Sequence, residues 1–262
     1  MSLRDTIEYQ PTGLTRSKRT ATMDVRPSAS NQFRVEINPA ETHGLLLERV
    51  LAGCPSPCIL ALSPDTSFVN KGRLSAILQW LLPKVSRLAI AEGSFLTRWN
   101  LCVIDGLSEH EAEQIAEQRH ELTATRIAKI AQAFCSTKHI EVLDWPSVVR
   151  SPAFIGIRDR VESYSARTPS FEQGIDSVVV EYLCRMRTRG ESVSLARPQL
   201  KLLRGYVFEE LAMFVHLYQA GLHVEVYPGD DLEIMHQFAA GHFKDFPFDL
   251  SARTHISLRL SQ

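Results

Sequence analysis

The sequence predicts an α/β fold, a mainly parallel sheet flanked by helices, and three observations carry that prediction. Short apolar runs such as "CILALS" (58–63) and "RLAIAEG" (87–93) read as buried core strands. Segments between them carry apolar residues at helical spacing, as Leu74, Ile77, Leu78, Leu81 and Leu82 do in "KGRLSAILQWLLPKV". Strands separated by helices of about a dozen or more residues imply crossovers between parallel neighbours.

The elements follow in order. Residues 1–32 are rich in Ser, Thr, Pro and Arg without a sustained period, and read as a polar tail with a small basic cluster at Arg16, Lys18 and Arg19. Residues 33–262 read as a single catalytic domain. "FRVEI" is a first strand, "HGLLLERVL" a short helix, and "CILALS" a strand that stops at Ser63 and Pro64. A helix from Lys71, the strand "RLAIAEG" and a long helix over 108–135 come next. Ser108 followed by Glu111 marks the start of that long helix as a capping box. "HIEVLDW" is a strand, and a mixed helical stretch leads to a helix that starts after Pro198 and is stopped by Gly221. "LHVEVYPGD" is the next strand and "DLEIMHQFAAGHF" a closing helix.

Composition narrows the function classes. Hydrophobic content of 44%, charged content of 23% and a net charge of -1 suit a globular domain and argue against wholesale coating of nucleic acid, though not against a local basic patch. Five cysteines, an odd number without CxxC spacing, suit a reduced intracellular chain, and a cytoplasmic protein is the expectation. No apolar stretch approaches the roughly 20 residues of a membrane helix, so no membrane partner is expected. No GxSxG surrounds Ser63, and no GxGxxG or P-loop follows a strand. "HEAEQ" and "HELTA" lack the second histidine of a zincin, and His236 and His242 are poorly spaced for shared ligation. Neither metal nor cofactor is expected.

Two residues stand out. Ligands of parallel sheets collect at the carboxyl ends of strands, where Ser63 falls. It is either a strand terminator or a nucleophile. In "GYVFEELAMFVHLY", Tyr206, Glu210, Met213 and Leu217 share one stripe flanked by Val207, Leu211 and Phe214. Glu210 thus lies in the apolar arc, and Glu209 falls towards the polar edge. A carboxylate in an apolar arc needs a cationic partner or a proton. A neighbouring arginine satisfies that need as well as a substrate ammonium does.

These residues together resemble the tRNA-dependent cyclodipeptide synthases, a family with a Rossmann-like domain similar to the catalytic domain of class I aminoacyl-tRNA synthetases. The family's pattern is an apolar strand ending in the catalytic serine, then Tyr-Val-x-x-Glu-Leu on a helix, then a second tyrosine on the following strand. "CILALSPDTSF", "YVFEEL" and "VEVYPG" match it, with Ser63, Tyr206, Glu210 and Tyr227. Thr66 and Pro228 match the branch that has proline after the second tyrosine and lacks the other branch's asparagine. Ala212 and Ala61 depart from the commoner proline and glycine, and the likeness runs over about residues 33 to 245.

The resemblance implies catalysis without metal or ATP, from two aminoacyl-tRNAs to a 2,5-diketopiperazine. Ser63 would carry the first aminoacyl group as an ester. Tyr206 and Glu210 would hold its ammonium, and Tyr227 would relay protons during closure. Ile59, Ala61, Met213 and Phe214 would line the first side-chain pocket. Phosphate contacts demand cationic surface, for which Arg119, Arg126 and Lys129 on the long helix and Arg185, Arg187 and Arg189 in "RMRTRG" are the candidates. Asp65 and Glu92, near the same mouth, would pair with a guanidinium if one incorporated residue is arginine. A monomer is expected. Two other readings stand beside this one: a catalytically silent tRNA-binding domain of the same fold, and an unrelated α/β ligand-binding protein in which Ser63 and Glu210 are structural.

Overall fold

The computed structural model describes residues 33–62, 70–134, 140–188, 197–250 and 253–261. The tail 1–32, Ser63, Asp65, Thr66 and Arg189 lie outside the described residues. Strands β1 (Arg34–Ile37), β2 (His43–Gly44), β3 (Ser56–Leu62), β4 (Val85–Glu92), β5 (Ile140–Val142), β6 (Val224–Tyr227) and β7 (Thr254–Ser261) form one sheet. Its order is β1-β7-β6-β3-β4-β5, with β2 also on β7. The five strands β7, β6, β3, β4 and β5 run parallel. Only β1 and β2 are antiparallel, both to β7.

The chain leaves β3 for β4 and β5 on one side, then returns to β6 and β7 on the other. That reversal opens a crevice beyond the carboxyl ends of β3 and β6, the general ligand position of such sheets. Described residues 33–261 belong to one compact unit, Asn31–Gln262.

Helices α1 (Leu47–Leu51), α2 (Lys71–Leu81), α3 (Thr97–Ile104), α4 (Glu109–Gln132), α5 (Trp145–Val149), α6 (Pro152–Ser165), α7 (Pro169–Thr188), α8 (Arg197–Gln219) and α9 (Glu233–Ala239) cover both faces. Side chains alternate across a strand, so Cys58, Leu60, Leu88, Ile90, Val224 and Val226 meet Leu74, Ile77, Leu78 and Leu81 of α2 and Ile127 of α4. The intervening Ile59, Ala89 and Ala91 face the other way, towards Val207, Leu211, Met213 and Phe214 of α8. A cavity lined by Ile59, Ala91, Met213 and Phe214 belongs to this second face.

Local signals explain the helix boundaries. Ser108 and Glu111 form the reciprocal capping box at the start of α4. Asn70 accepts from the Gly72 amide at the start of α2. Gly221, at φ +81, ends the turn after α8 in the left-handed region that glycine adopts without penalty.

Three differences from expectation matter. The segment from His43 begins as the short strand β2, and only Leu47–Leu51 is helical. Gly44 allows this: a Cβ there would fall 2.4 Å from the Thr254 Cα of β7. The stretch after β4 forms a 3-10 turn (Gly93–Leu96) and α3, where no element was expected. Finally, "THISLRLS" is the strand β7, although the sequence reading ended with the helix before it. The alternation Ile256, Leu258, Leu260 is a legible strand signal.

Candidate active site

A cavity of about 560 Å³ lies over the crevice between β3 and β6. Sheet register divides its floor into two halves. Ala61 pairs with Ala91, and Ile59 with Ala89, so the β3–β4 side offers small or apolar side chains. On the other side Glu225 pairs with His255 and Tyr227 with Ser257, and Glu225, Tyr227 and His255 all line the cavity. The α8 residues Tyr206, Glu210, Met213 and Phe214 form its roof. Ile59, Ala61, Met213 and Phe214, expected as pocket residues, therefore share one wall region. β3 ends at Leu62, also on the cavity wall, immediately before Ser63.

Tyr206 and Glu210 lie one helical turn apart, and the Tyr206 hydroxyl donates a hydrogen bond to the Glu210 carboxylate. Glu210 Oε2 is shielded from water and has no partner among the described residues. Burial raises the Glu210 carboxyl to about 7, aided by the charges of Glu225 and Asp231 and opposed by the Tyr206 bond and Arg185. Burial and the neighbouring Glu210 charge push the Tyr206 hydroxyl well above its ordinary value, so it stays protonated. Tyr182 stacks on Tyr206 with ring centroids 5.5 Å apart and donates to Asn100, fixing the ring from α7. The pair thus places a carboxyl group with one unpartnered oxygen on the cavity wall, a receptor for a small cation once it is ionised.

Tyr227 enters from the end of β6. Its ring folds back over Gly229, where a Cβ would come within 2.6 Å of the ring. That close approach is a physical use for the "YPG" sequence.

Behind Tyr227 lies a buried charge network that sequence reading did not anticipate. Arg253 Nη2 donates to Glu225 Oε2 at 2.6 Å and to Asp231 Oδ1 at 2.7 Å, while Nη1 binds Asp231 Oδ2. Burial alone would raise the Asp231 carboxyl, but the Arg253 guanidinium and the hydrogen bond with His43 hold it well below the usual range. His43, Asp231 and His236 bring ligand atoms within 4.8 Å of one another. Both Asp231 oxygens already accept from Arg253, however, and the guanidinium charge opposes a second cation there.

Two carboxylates lie away from the expected places. Glu92 does not line the cavity. Its strand neighbour Ala91 does, so alternation turns Glu92 to the opposite face. There it binds His120 of α4 and accepts from the Ser94 amide at 2.9 Å. Glu209, expected near a polar edge, is fully buried and ion-paired with Arg98 of α3. The reason is that α8 has no polar face along its central turns: α3, α6 and α7 pack around it. Arg98 also lies over the Phe95 and Trp99 rings, at 4.2 and 4.9 Å. Glu209→Gln should therefore destabilise the fold by about 3 kcal/mol, since it strands a buried cation. Thermal melting checks this, and an unchanged melting temperature would show the ion pair to be dispensable.

Arg119, Arg126 and Lys129 are exposed, on one side of α4. Arg185 lines the cavity mouth, and Arg187 is exposed beside it on α7.

Comparison with known proteins agrees with this geometry. The cyclodipeptide synthase family model matches residues 57–221, a span that includes Tyr206 and Glu210. No curated protein matches by sequence. Among solved structures, the fold is similar to that of a cyclodipeptide synthase from Fluoribacter dumoffii, with a TM-score of 0.71 at 17% identity over 87% of this chain and 98% of that one. A Mycobacterium tuberculosis protein, whose structure relates cyclodipeptide synthetases to type I tRNA synthetases, matches with a TM-score of 0.62 at 14% identity over 89% and 96%. The synthase from Candidatus Glomeribacter gigasporarum, solved bound to Phe-tRNAPhe, matches with a TM-score of 0.56 at 16% identity over 84% and 94%. With its parallel sheet, its cavity at the reversal of strand order and a family match over more than half its length, the chain belongs to the cyclodipeptide synthase family.

Proposed function

We propose that this enzyme forms a cyclodipeptide from two aminoacyl-tRNAs through an aminoacyl ester on Ser63. The observation that carries the reading is the Tyr206–Glu210 pair, with one unpartnered carboxylate oxygen in a cavity that β3 leads into just before Ser63. Ser63 Oγ attacks the ester carbonyl of the first aminoacyl-tRNA and expels the ribose oxygen, which takes up the serine proton. One ester replaces another, so the step needs no added activation. Glu210 holds the new α-ammonium while the apolar half of the cavity accepts the side chain. After losing a proton, the amine attacks the second aminoacyl ester and expels its tRNA. The new amine then attacks the Ser63 ester, closing the ring and freeing the serine. Tyr227, opposite Glu210 on the polar half, serves proton transfer in closure.

The "YP" at Tyr227 and Pro228, with Thr66, supports the branch with proline after the second tyrosine. The polar half also favours a basic side chain, and we assign arginine to one of the two positions. Glu210, Glu225, Asp230 and Asp231 line the cavity beside Arg185, although Glu225 and Asp231 are already paired with Arg253. Glu92, facing away, plays no part in this, and Asp65 lies outside the described residues.

The test is mass spectrometry of products made by the purified enzyme from a mixture of aminoacyl-tRNAs. A cyclic dipeptide containing arginine is the expected result. Neutral cyclic dipeptides alone would overturn the arginine assignment, and tRNA binding without any product would favour a silent binding domain.

The exposed stripe of Arg119, Arg126 and Lys129 is the tRNA surface in this reading. Replacing all three with alanine should raise KM for aminoacyl-tRNA with little change in kcat. It should also flatten the salt dependence of binding by about one unit of log slope per charge removed. An unchanged KM and salt slope would move the tRNA elsewhere.

A further inference from the structure

Arg185 is the one lysine or arginine among the described residues of the cavity wall, which it shares with four carboxylates, Glu210, Glu225, Asp230 and Asp231. Its side chain is half exposed and meets Glu181, one turn back on α7, at 3.4 Å. An ion pair that long and that wet contributes little, so the guanidinium donors can turn to a ligand. Tyr182, also one turn back, stacks on Tyr206, which sets Arg185 on the same side of the cavity as the Tyr206–Glu210 pair. Its charge is felt at Glu210, where it opposes the rise that burial imposes on the carboxyl. A cation so placed repels an arriving ammonium unless the same ligand also brings an anion.

We propose that Arg185 donates hydrogen bonds to the phosphate on the 5′ side of the terminal adenosine of the first aminoacyl-tRNA. Esterification has removed the amino acid's own carboxylate, so this phosphate, one sugar away from the ester, is the nearest negative charge on the substrate. With the acyl group inside the cavity, the phosphate falls at the mouth, where carboxylates repel it and Arg185 attracts it. The planar fork of a guanidinium matches two phosphate oxygens at once. Arg185 and Glu210 then grip opposite charges of one substrate end, phosphate outside and ammonium inside, with the ester carbonyl held between them for Ser63. Such a two-point hold fixes orientation for the attack. This inference rests on the aminoacyl-transfer reading above and adds a contact to its first step.

The test uses aminoacyl-tRNA whose last internucleotide linkage is either the natural phosphodiester or an uncharged methylphosphonate of the same shape. The rate of Ser63 labelling at limiting substrate is measured for each. Wild type should lose about 10- to 100-fold when the charge of that linkage is removed, the scale of a hydrogen bond to a charged group. Arg185→Ala should lose a similar factor on the natural linkage and almost nothing further on the methylphosphonate. Arg185→Lys, which keeps the charge without the fork, should retain part of the discrimination. Equal labelling of wild type by the two linkages would overturn the proposal. So would a loss in Arg185→Ala that is the same for both linkages, the mark of an effect exerted through Glu210 or through the packing of α7. A wild-type enzyme labelled by neither substrate would instead overturn the underlying transfer reading.

Discussion

Ser63→Ala is expected to abolish both covalent labelling by aminoacyl-tRNA and cyclodipeptide formation, by at least about 1000-fold. The substitution removes one hydroxyl and no carbon, so melting temperature should change little. Neither Tyr206 nor Tyr227 can substitute. Burial and the Glu210 charge hold the Tyr206 hydroxyl protonated, and a phenyl ester would be a different, labile intermediate. Acid-stable label on wild-type protein, absent from the variant, is the measurement. Equal labelling of both would make Ser63 only the end of a strand and would transfer the nucleophile's role elsewhere in the cavity.

The second large effect belongs to Glu210→Gln. The variant keeps the shape and loses the charge that pairs with the ammonium, so kcat/KM should fall about 100- to 1000-fold, the scale of a lost charge pair in a desolvated site. Stability should move the opposite way above neutral pH. Folding raises this carboxyl from 4.5 to about 7, so the native state binds the proton more tightly than the unfolded chain does. Its contribution is present below pH 4.5 and is lost as pH rises towards 7. Wild type should therefore lose stability across that window relative to the glutamine variant, which has no proton to lose. Denaturant unfolding at several pH values reads this difference. The same ionisation should give kcat/KM an acid limb near neutrality, because the free enzyme captures an ammonium only with its carboxylate charged. A large stability loss in the variant at pH 8, with activity retained, would show Glu210 to be a structural anion.

The contrast between Glu209 and Glu210 shows where reading the chain stops. Helical spacing correctly placed Glu210 with Tyr206, Met213 and Phe214, because residues one turn apart share a face in any helix. It misjudged Glu209, since a wheel assumes one wet side and α8 has none along its central turns. Only packing against α3 brings Arg98 to that carboxylate. Glu92 failed for a related reason. The chain correctly locates it at the end of a parallel strand, but the face it takes depends on strand phase relative to α4 and α8. Ala91 faces the cavity, so Glu92 faces His120.

The alternation of strands and helices, the capping box of α4, the stop at Gly221 and the shared face of Tyr206 and Glu210 were all legible, because each depends on local spacing or short motifs. The polar half of the cavity was not. Arg253 and His255 lie 28 and 30 residues beyond Glu225 in the chain, and nothing local links them. They meet because β7 pairs with β6 in one register, which sets His255 beside Glu225 and leaves Arg253 to bridge two carboxylates. Side-chain chemistry is written in the sequence, but contacts between distant strands come from sheet order and register, which only the folded chain decides.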